Sequence, residues 1–308
     1  MATNLTGKLE NSGKMPRLQS YLRLMRPHQY SKNAFIWFPL FFGHKAHDLL
    51  AELRTLATFA FFCLMASGVY IINDLKDIEA DRRHPMKRNR VLAAGKVSRV
   101  EAIILSVVSI SLSLVAAIIL FERRMFLILG AYLLLNIAYS FRLKRMAIID
   151  VVCIAVGFVL RVLAGGVAAE VWPSHWLVLM TFLLALFLAL AKRRDDLLLA
   201  TSDYKPRESL DGYNLEFISL SMSLMAAVIV VSYILYAVSP EVISYHHTEN
   251  LYLTVFWVIL GLLRYMQLTV VSQKSGSPTT IVLRDRFLQA TIGLWVASCY
   301  LILYVWHQ

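Results

Sequence analysis

Residues 70–99 read YIINDLKDIEADRRHPMKRNRVLAAGKVSR, and within them Asn73, Asp74, Asp77 and Asp81 make N-D-x-x-D-x-x-x-D. On a helix turning about 100° per residue, the three aspartates fall within about 60° of arc. Carboxylates crowded on one face repel unless a cation sits among them. Hard carboxylate oxygens suit Mg²⁺, which is commonly held by one or two carboxylates and completes its shell with substrate phosphates. Arg82, Arg83, Lys87, Arg88 and Arg90 follow at once. A metal bridging phosphate oxygens, with cations neutralising the remaining charge, is what a pyrophosphate site requires. A solvated loop of mixed charge would account for the residue types but not for three aspartates on one helix face.

Further basic clusters could join that site. The segment RLMRPHQYSKNAF brings Arg23, Arg26 and Lys32, with Asn33, to the edge of the first apolar run. Cations at such an edge can hold an anionic lipid head group, or simply anchor the chain. A second cluster has Tyr139, Ser140, Arg142, Lys144 and Arg145, with Asp150 just beyond, and a third has Lys192, Arg193, Arg194, Asp195 and Asp196. Arg161 stands inside an apolar run, eleven residues after Asp150. That spacing puts both on one helix face, and a charge inside a membrane helix faces a polar partner or cavity. The spacing leaves open whether Arg161 meets a substrate or a structural acid. Gly165 and Gly166 permit close helix packing, and Arg264, in a later run, is structural. The eight histidines show no HExxH spacing, and no P-loop, GxGxxG or GxSxG occurs.

The elements that must position these groups follow from composition. Of 308 residues, 58% are hydrophobic and 17% charged, with mean hydropathy +0.60. Soluble domains carry roughly 45–50% apolar and about 25% charged residues, so a soluble or disordered chain is excluded. A bilayer crossing needs about 20 apolar residues. Nine such stretches lie near 33–49, 55–72, 101–121, 125–141, 147–169, 175–191, 216–238, 250–271 and 287–306. The first is the weakest, being short, aromatic and interrupted by Pro39. Runs this long are helices rather than barrel strands. The predicted fold is all-α: nine transmembrane helices in one domain over 21–308, preceded by a cytoplasmic arm over 1–20.

The net charge is +11. With the N-terminus inside, 25 Lys and Arg fall on cytoplasmic segments and 4 on the opposite loops. That asymmetry predicts N-in and, with nine crossings, C-out. It places the aspartate cluster at the cytoplasmic face of a bacterial inner membrane. Cations lying between membrane spans fit phosphorylated substrates and anionic lipid, not nucleic acid. Cys63, Cys153 and Cys299 sit in apolar runs and read as small buried hydrophobes. The first 30 residues contain no apolar leader core.

The chain resembles the UbiA superfamily of intramembrane prenyltransferases. Within it, RPHQYSKN at 26–33, NDLKDIEADRRHPMKRNRVLAAG at 73–95, YSFRLKRMAIID at 139–150, VLRVLAGGVA at 159–168 and LAKRRDDL at 190–197 are similar to decaprenyl-phosphate phosphoribosyltransferases. The resemblance implies Mg²⁺-dependent transfer of 5-phosphoribose from 5-phosphoribosyl 1-pyrophosphate to a polyprenyl phosphate. It implies a catalytic metal set of Asp74, Asp77 and Asp81. Donor phosphates would be bound by Asn73, Arg82, Lys87, Arg88, Tyr139, Lys144, Arg161, Lys192 and Arg193, and lipid phosphate by Arg26, Gln29, Lys32 and Asn33. The alternative is an aromatic prenyltransferase, which carries a second aspartate pair, DxxxD, after helix 6. Here Leu199 and Ala200 stand four residues after Asp195 and Asp196, and Arg207 four after Asp203. That departure favours phosphoribosyl transfer. Lipid length and oligomeric state are not readable from the sequence.

Overall fold

The computed structural model describes residues 17–83, 87–121, 123–200, 208–272 and 278–306. Among these, secondary structure is helical throughout. The helices are α1 (Arg17–Met25), α2 (Phe38–Phe42), α3 (Leu49–Arg83), α4 (Arg99–Leu120), α5 (Arg123–Phe141), α6 (Ile149–Ala169), α7 (His175–Leu198), α8 (Leu215–Ala237), α9 (Pro240–His246), α10 (Val255–Met266), α11 (Pro278–Arg284) and α12 (Arg286–Tyr300). α10 continues through a π-helical turn to Val271 and α12 through another to Val305.

Among the described residues, eight stretches are long and apolar enough to cross a membrane. They match eight of the nine expected crossings. The first expected crossing, 33–49, is not a long helix. A 3₁₀ segment over Pro27–Trp37 leads into the five-residue α2, and the chain turns at Gly43. Pro27 and Pro39 remove backbone donors, and the crowded aromatics between them favour short turns over a continuous helix. The stretch nevertheless runs the length of the bundle. Arg26 meets Asp74 at one end, and Gly43 lies against Val171, just beyond the far end of α6. Its irregular backbone is tolerated because it packs between α3 and α6 rather than facing lipid.

Gly165 is what lets it lie there. A Cβ on that residue would stand 2.0 Å from the Ile36 carbonyl oxygen. Gly166 is equally confined, by Pro173 and the Val171 carbonyl, so both glycines serve the close packing expected of them. α3 and α4 approach in the same way: a Cβ on Gly68 would meet Ile110, and Ser106 Oγ donates to the Gly68 carbonyl at 2.8 Å.

Local signals set the boundaries of the long helices. α4 opens with a capping box, Glu101 N–H on Ser98 Oγ and Ser98 N–H on the Glu101 carboxylate. Ser174 and Asn214 cap α7 and α8. Antiparallel succession then brings the end of α3, the end of α5, the start of α6 and the end of α7 to one end of the bundle. These elements carry the charged motifs. The three cysteines are free and buried.

Candidate active site

A cavity of about 2020 Å³ opens at that end and continues through the bundle, its walls mostly apolar and aromatic. α3 is 35 residues long and overruns its apolar stretch by about three turns, which brings Asp77 and Asp81 to the cavity lining and Asp74, buried, just behind it. Asp74 and Asp81, about 20° apart on the helix, point at one cation. Arg90 Nη1 donates to Asp74 Oδ1 at 3.1 Å and to Asp81 Oδ2 at 2.8 Å. Arg26 Nη2 also donates to Asp74 Oδ1, at 2.5 Å. Arg26 reaches it from a left-handed backbone, φ 56°, a strained conformation for a residue preceding proline. Asp77 turns the other way. Lys144 Nζ bonds both its carboxylate oxygens at 2.8 Å, and Asn73 Nδ2 donates to it at 3.2 Å.

Among the described residues no three acidic, histidine or cysteine side chains form one ligand set in this structure. Asp74 and Asp81 share Arg90, while Asp77, about 40° from Asp81 on the helix, is bonded to Lys144. A two-carboxylate set remains adequate for Mg²⁺ whose other ligands are phosphates and water.

The other predicted residues divide into three groups. Arg26, Gln29, Lys32, Asn73, Lys87, Tyr139, Lys144 and Lys192 line the cavity. Arg82 and Arg88 do not, and both are exposed. Arg82 bonds Glu79 and the Ala93 carbonyl, because the last turn of α3 rotates it away from the aspartates. The third group is buried and bonded within the protein, although Arg161 and Arg193 also border the cavity. Asn33 donates to Cys63 Sγ and accepts from Arg161 Nε. Arg161 Nη1 donates to the Gly157 carbonyl and its Nη2 to Tyr132 Oη.

Arg193 is fully buried. Its Nε donates to Asp150 Oδ2 at 2.6 Å and its Nη1 to Asp196 Oδ2 at 3.1 Å. Ser209 and Tyr213 complete the shell of Asp150, at 3.0 and 2.7 Å. Burial and then the Asp150 carboxylate hold the Tyr213 phenol well above its ordinary range, so it remains a donor at neutral pH. Asp150 and Arg161 do share one face, as their spacing requires, but each has its own partners.

Nothing in the sequence singles out Arg90, which stands in a run of five cations. Nine residues after Asp81, it follows the helix end closely enough for the chain to fold back onto the aspartates.

A model of the UbiA prenyltransferase family matches residues 35–291. This chain belongs to the UbiA prenyltransferase family. It is 31% identical to a decaprenyl-phosphate phosphoribosyltransferase of Mycolicibacterium smegmatis, over 96% of this chain and 97% of that one. It is 35% identical to the uncharacterized protein y4nM of Sinorhizobium fredii over 92% of its length, and spans 55% of that larger protein. In fold it is similar to a UbiA homolog from Archaeoglobus fulgidus solved bound to DMAPP and Mg²⁺, with TM-score 0.68, 19% identity, and 93% and 99% of the two chains covered. As a UbiA member with eight long apolar helices, it is a multi-pass membrane protein. At the end of α7, Asp195 and Asp196 are buried and bonded to Lys192 and Arg193. Asp203 and Arg207 lie outside the described residues.

Proposed function

We propose that this protein transfers 5-phosphoribose from 5-phosphoribosyl 1-pyrophosphate to a polyprenyl phosphate of decaprenyl type, releasing pyrophosphate at the cytoplasmic face. The observation that carries this reading is the cavity mouth. There Asp74 and Asp81 converge on Arg90, with Arg26, Lys144 and Lys192 around them, above an apolar lumen. Such a mouth suits a polyphosphate donor, and the lumen suits an isoprenoid tail. The named relative, matched nearly end to end, supports the same pairing of substrates. The burial of Asp195 and Asp196 supports a single acidic clamp, as opposed to the two expected for aromatic prenyl transfer.

Asp74 and Asp81 are the residues that would hold Mg²⁺, with Asp77 beside them. When bound, the ion supplies neutralisation of pyrophosphate oxygens as negative charge develops on them. The protein's own contribution is electrostatic. Arg90 and Lys144, each bonded to carboxylate in this structure, are placed to exchange that partner for phosphate and to stabilise the departing group. The bond from ribose C1 to the pyrophosphate oxygen breaks, and its electrons leave with pyrophosphate. An oxygen of the lipid phosphate forms the new bond to C1. The attacking group is already an anion, so no general base is needed. Gln29 and Lys32, on the 3₁₀ segment, face the same cavity and would orient the lipid phosphate.

The test is to supply purified protein with radiolabelled 5-phosphoribosyl 1-pyrophosphate, polyprenyl phosphate and Mg²⁺, and in parallel with prenyl diphosphate and 4-hydroxybenzoate. Lipid-extractable label in the first assay alone is expected. A lipophilic product in the second alone would replace this reading with aromatic prenyl transfer.

A further inference from the structure

Arg161 is 4% exposed, inside α6, and lines the cavity. Its partners are Asn33 Oδ1 at 2.7 Å, the Gly157 carbonyl at 2.8 Å and Tyr132 Oη at 2.9 Å. All three are neutral. The rings of Phe62, Tyr132 and Phe158 surround the guanidinium at 4.9–5.8 Å. No carboxylate lies within ion-pair distance among the described residues. A guanidinium has five N–H groups and does not lose its charge in proteins; three of the five are used here. The buried arginine Arg193 shows the contrast, since two aspartates neutralise it. A permanent charge at membrane depth without an acid is costly, and an anion arriving through the cavity would offset that cost.

The depth is informative. The guanidinium lies level with Gly157, seven residues along α6 from Asp150, or about 10 Å. Its partner Asn33 also donates to Cys63 Sγ, eleven residues before Asp74 on α3. Arg161 therefore lies in the wall of the lumen, deeper than the aspartates.

We propose that Arg161 is an anion site for a phosphate monoester seated deeper in the cavity than the aspartates, and that Asn33 is the residue that positions it. The identity of the ligand rests on the phosphoribosyl-transfer reading; the existence of the anion site does not. Two substrates carry the required group: the donor, as its 5-phosphate, and the acceptor lipid. On this view Asn33 serves phosphate binding indirectly, by aiming Arg161.

Asn33→Asp separates this role from a purely structural one. It keeps the side-chain volume and the acceptor to Arg161 Nε, and it adds the counter-ion the site lacks. Binding of farnesyl phosphate, 5-phosphoribosyl 1-pyrophosphate and inorganic pyrophosphate to the detergent-solubilised full chain is measured by calorimetry, alongside thermal unfolding. Asn33→Asp is expected to unfold no earlier than wild type and to bind one phosphate monoester at least ten-fold more weakly. A loss confined to farnesyl phosphate assigns the lipid phosphate, and a loss confined to the ribosyl donor assigns its 5-phosphate. Affinities within two-fold of wild type for both would overturn the proposal. So would an equal fall for inorganic pyrophosphate, which reports damage at the mouth. Should Asn33→Asp fail to fold, Arg161→Lys keeps the charge but loses the planar fork. It is expected to weaken the same ligand three- to ten-fold, and unchanged affinities in that variant overturn the proposal equally. If farnesyl phosphate binding responds while wild type makes no ribosylated lipid, the transfer reading fails and the anion site stands.

Discussion

Two clusters of aspartate and arginine lie at the same end of this bundle and differ in access. At the cavity mouth, Asp74 and Asp81, with side chains 5% and 6% exposed, are bonded to Arg90, whose side chain is 30% exposed. In the knot between α6 and α7, Asp150 and Arg193 are sealed at 0% and 1% side-chain exposure. Ser209, Tyr213 and Asp196 complete that shell. The mouth pairs can exchange one ionic partner for another, because the Arg90 side that closes them is open to solvent. The knot cannot, because losing a partner would leave a charge buried in low dielectric. The same residue types thus build a binding surface in one place and a brace in the other, and solvent access separates the two roles.

The sharpest way to break this contrast is Arg193→Ala. It strands Asp150 and is expected to cost about 3–5 kcal/mol, read as an earlier unfolding transition in detergent. A shift below about 1 kcal/mol would mean that the knot is not a brace. Asp81→Asn should do the reverse. Transfer is expected to fall about 10²–10³-fold, as when a group stabilising charge in the transition state is removed. Its unfolding transition should stay near wild type, since one of two crowded carboxylates is relieved. Retained activity with unchanged Mg²⁺ dependence would refute the metal assignment.

A smaller effect is expected from Gly165→Ala. The new Cβ meets the Ile36 carbonyl oxygen at 2.0 Å, so the 3₁₀ segment must move. Overpacking of this kind costs about 1–3 kcal/mol. Because that segment carries Arg26 to Asp74, a rise in donor KM should accompany the lost stability. Stability lost without a change in KM would uncouple the segment from the mouth. The smallest effect belongs to a third ionic pair. Arg264 bonds Asp285 at 2.6 Å and is 29% exposed. Arg264→Gln should cost no more than about 1 kcal/mol and leave both substrate KM values unchanged. A larger loss would show that access alone does not rank these pairs.

Much of the fold was legible because lipid imposes a simple rule. Apolar runs of about 20 residues must be helices, and eight of the nine expected runs are. The exception, 33–49, has length and hydrophobicity but also Pro39 and a dense aromatic core. There the need to pack against α3 and α6 outweighed helix continuity. The aspartate motif was legible through helical periodicity, which put all three carboxylates on one face; that Asp77 pairs with Lys144 while Asp74 and Asp81 share Arg90 was not. Arg90 was one of five neighbouring cations, and the identity of the one folding back depended on where α3 ended. In KRRDD, the order of charges did not reveal that Arg193 points into the protein while Lys192 faces the cavity. Adjacent residues on a helix stand about 100° apart, so burial divides such a run according to which face packs.

The sequence by itself determined a helical membrane bundle, the end at which its charges gather, and an acidic helix face suited to a metal and phosphates. Each follows from local rules of hydropathy and period. Only the tertiary structure decided which cations meet which acids. It joined Asp150 to Arg193 across 43 positions, Arg161 to Asn33 across 128, and Lys144 to Asp77 across 67. Pairing at such separations depends on how helices cross and on what the crossing seals from water. A local pattern holds neither.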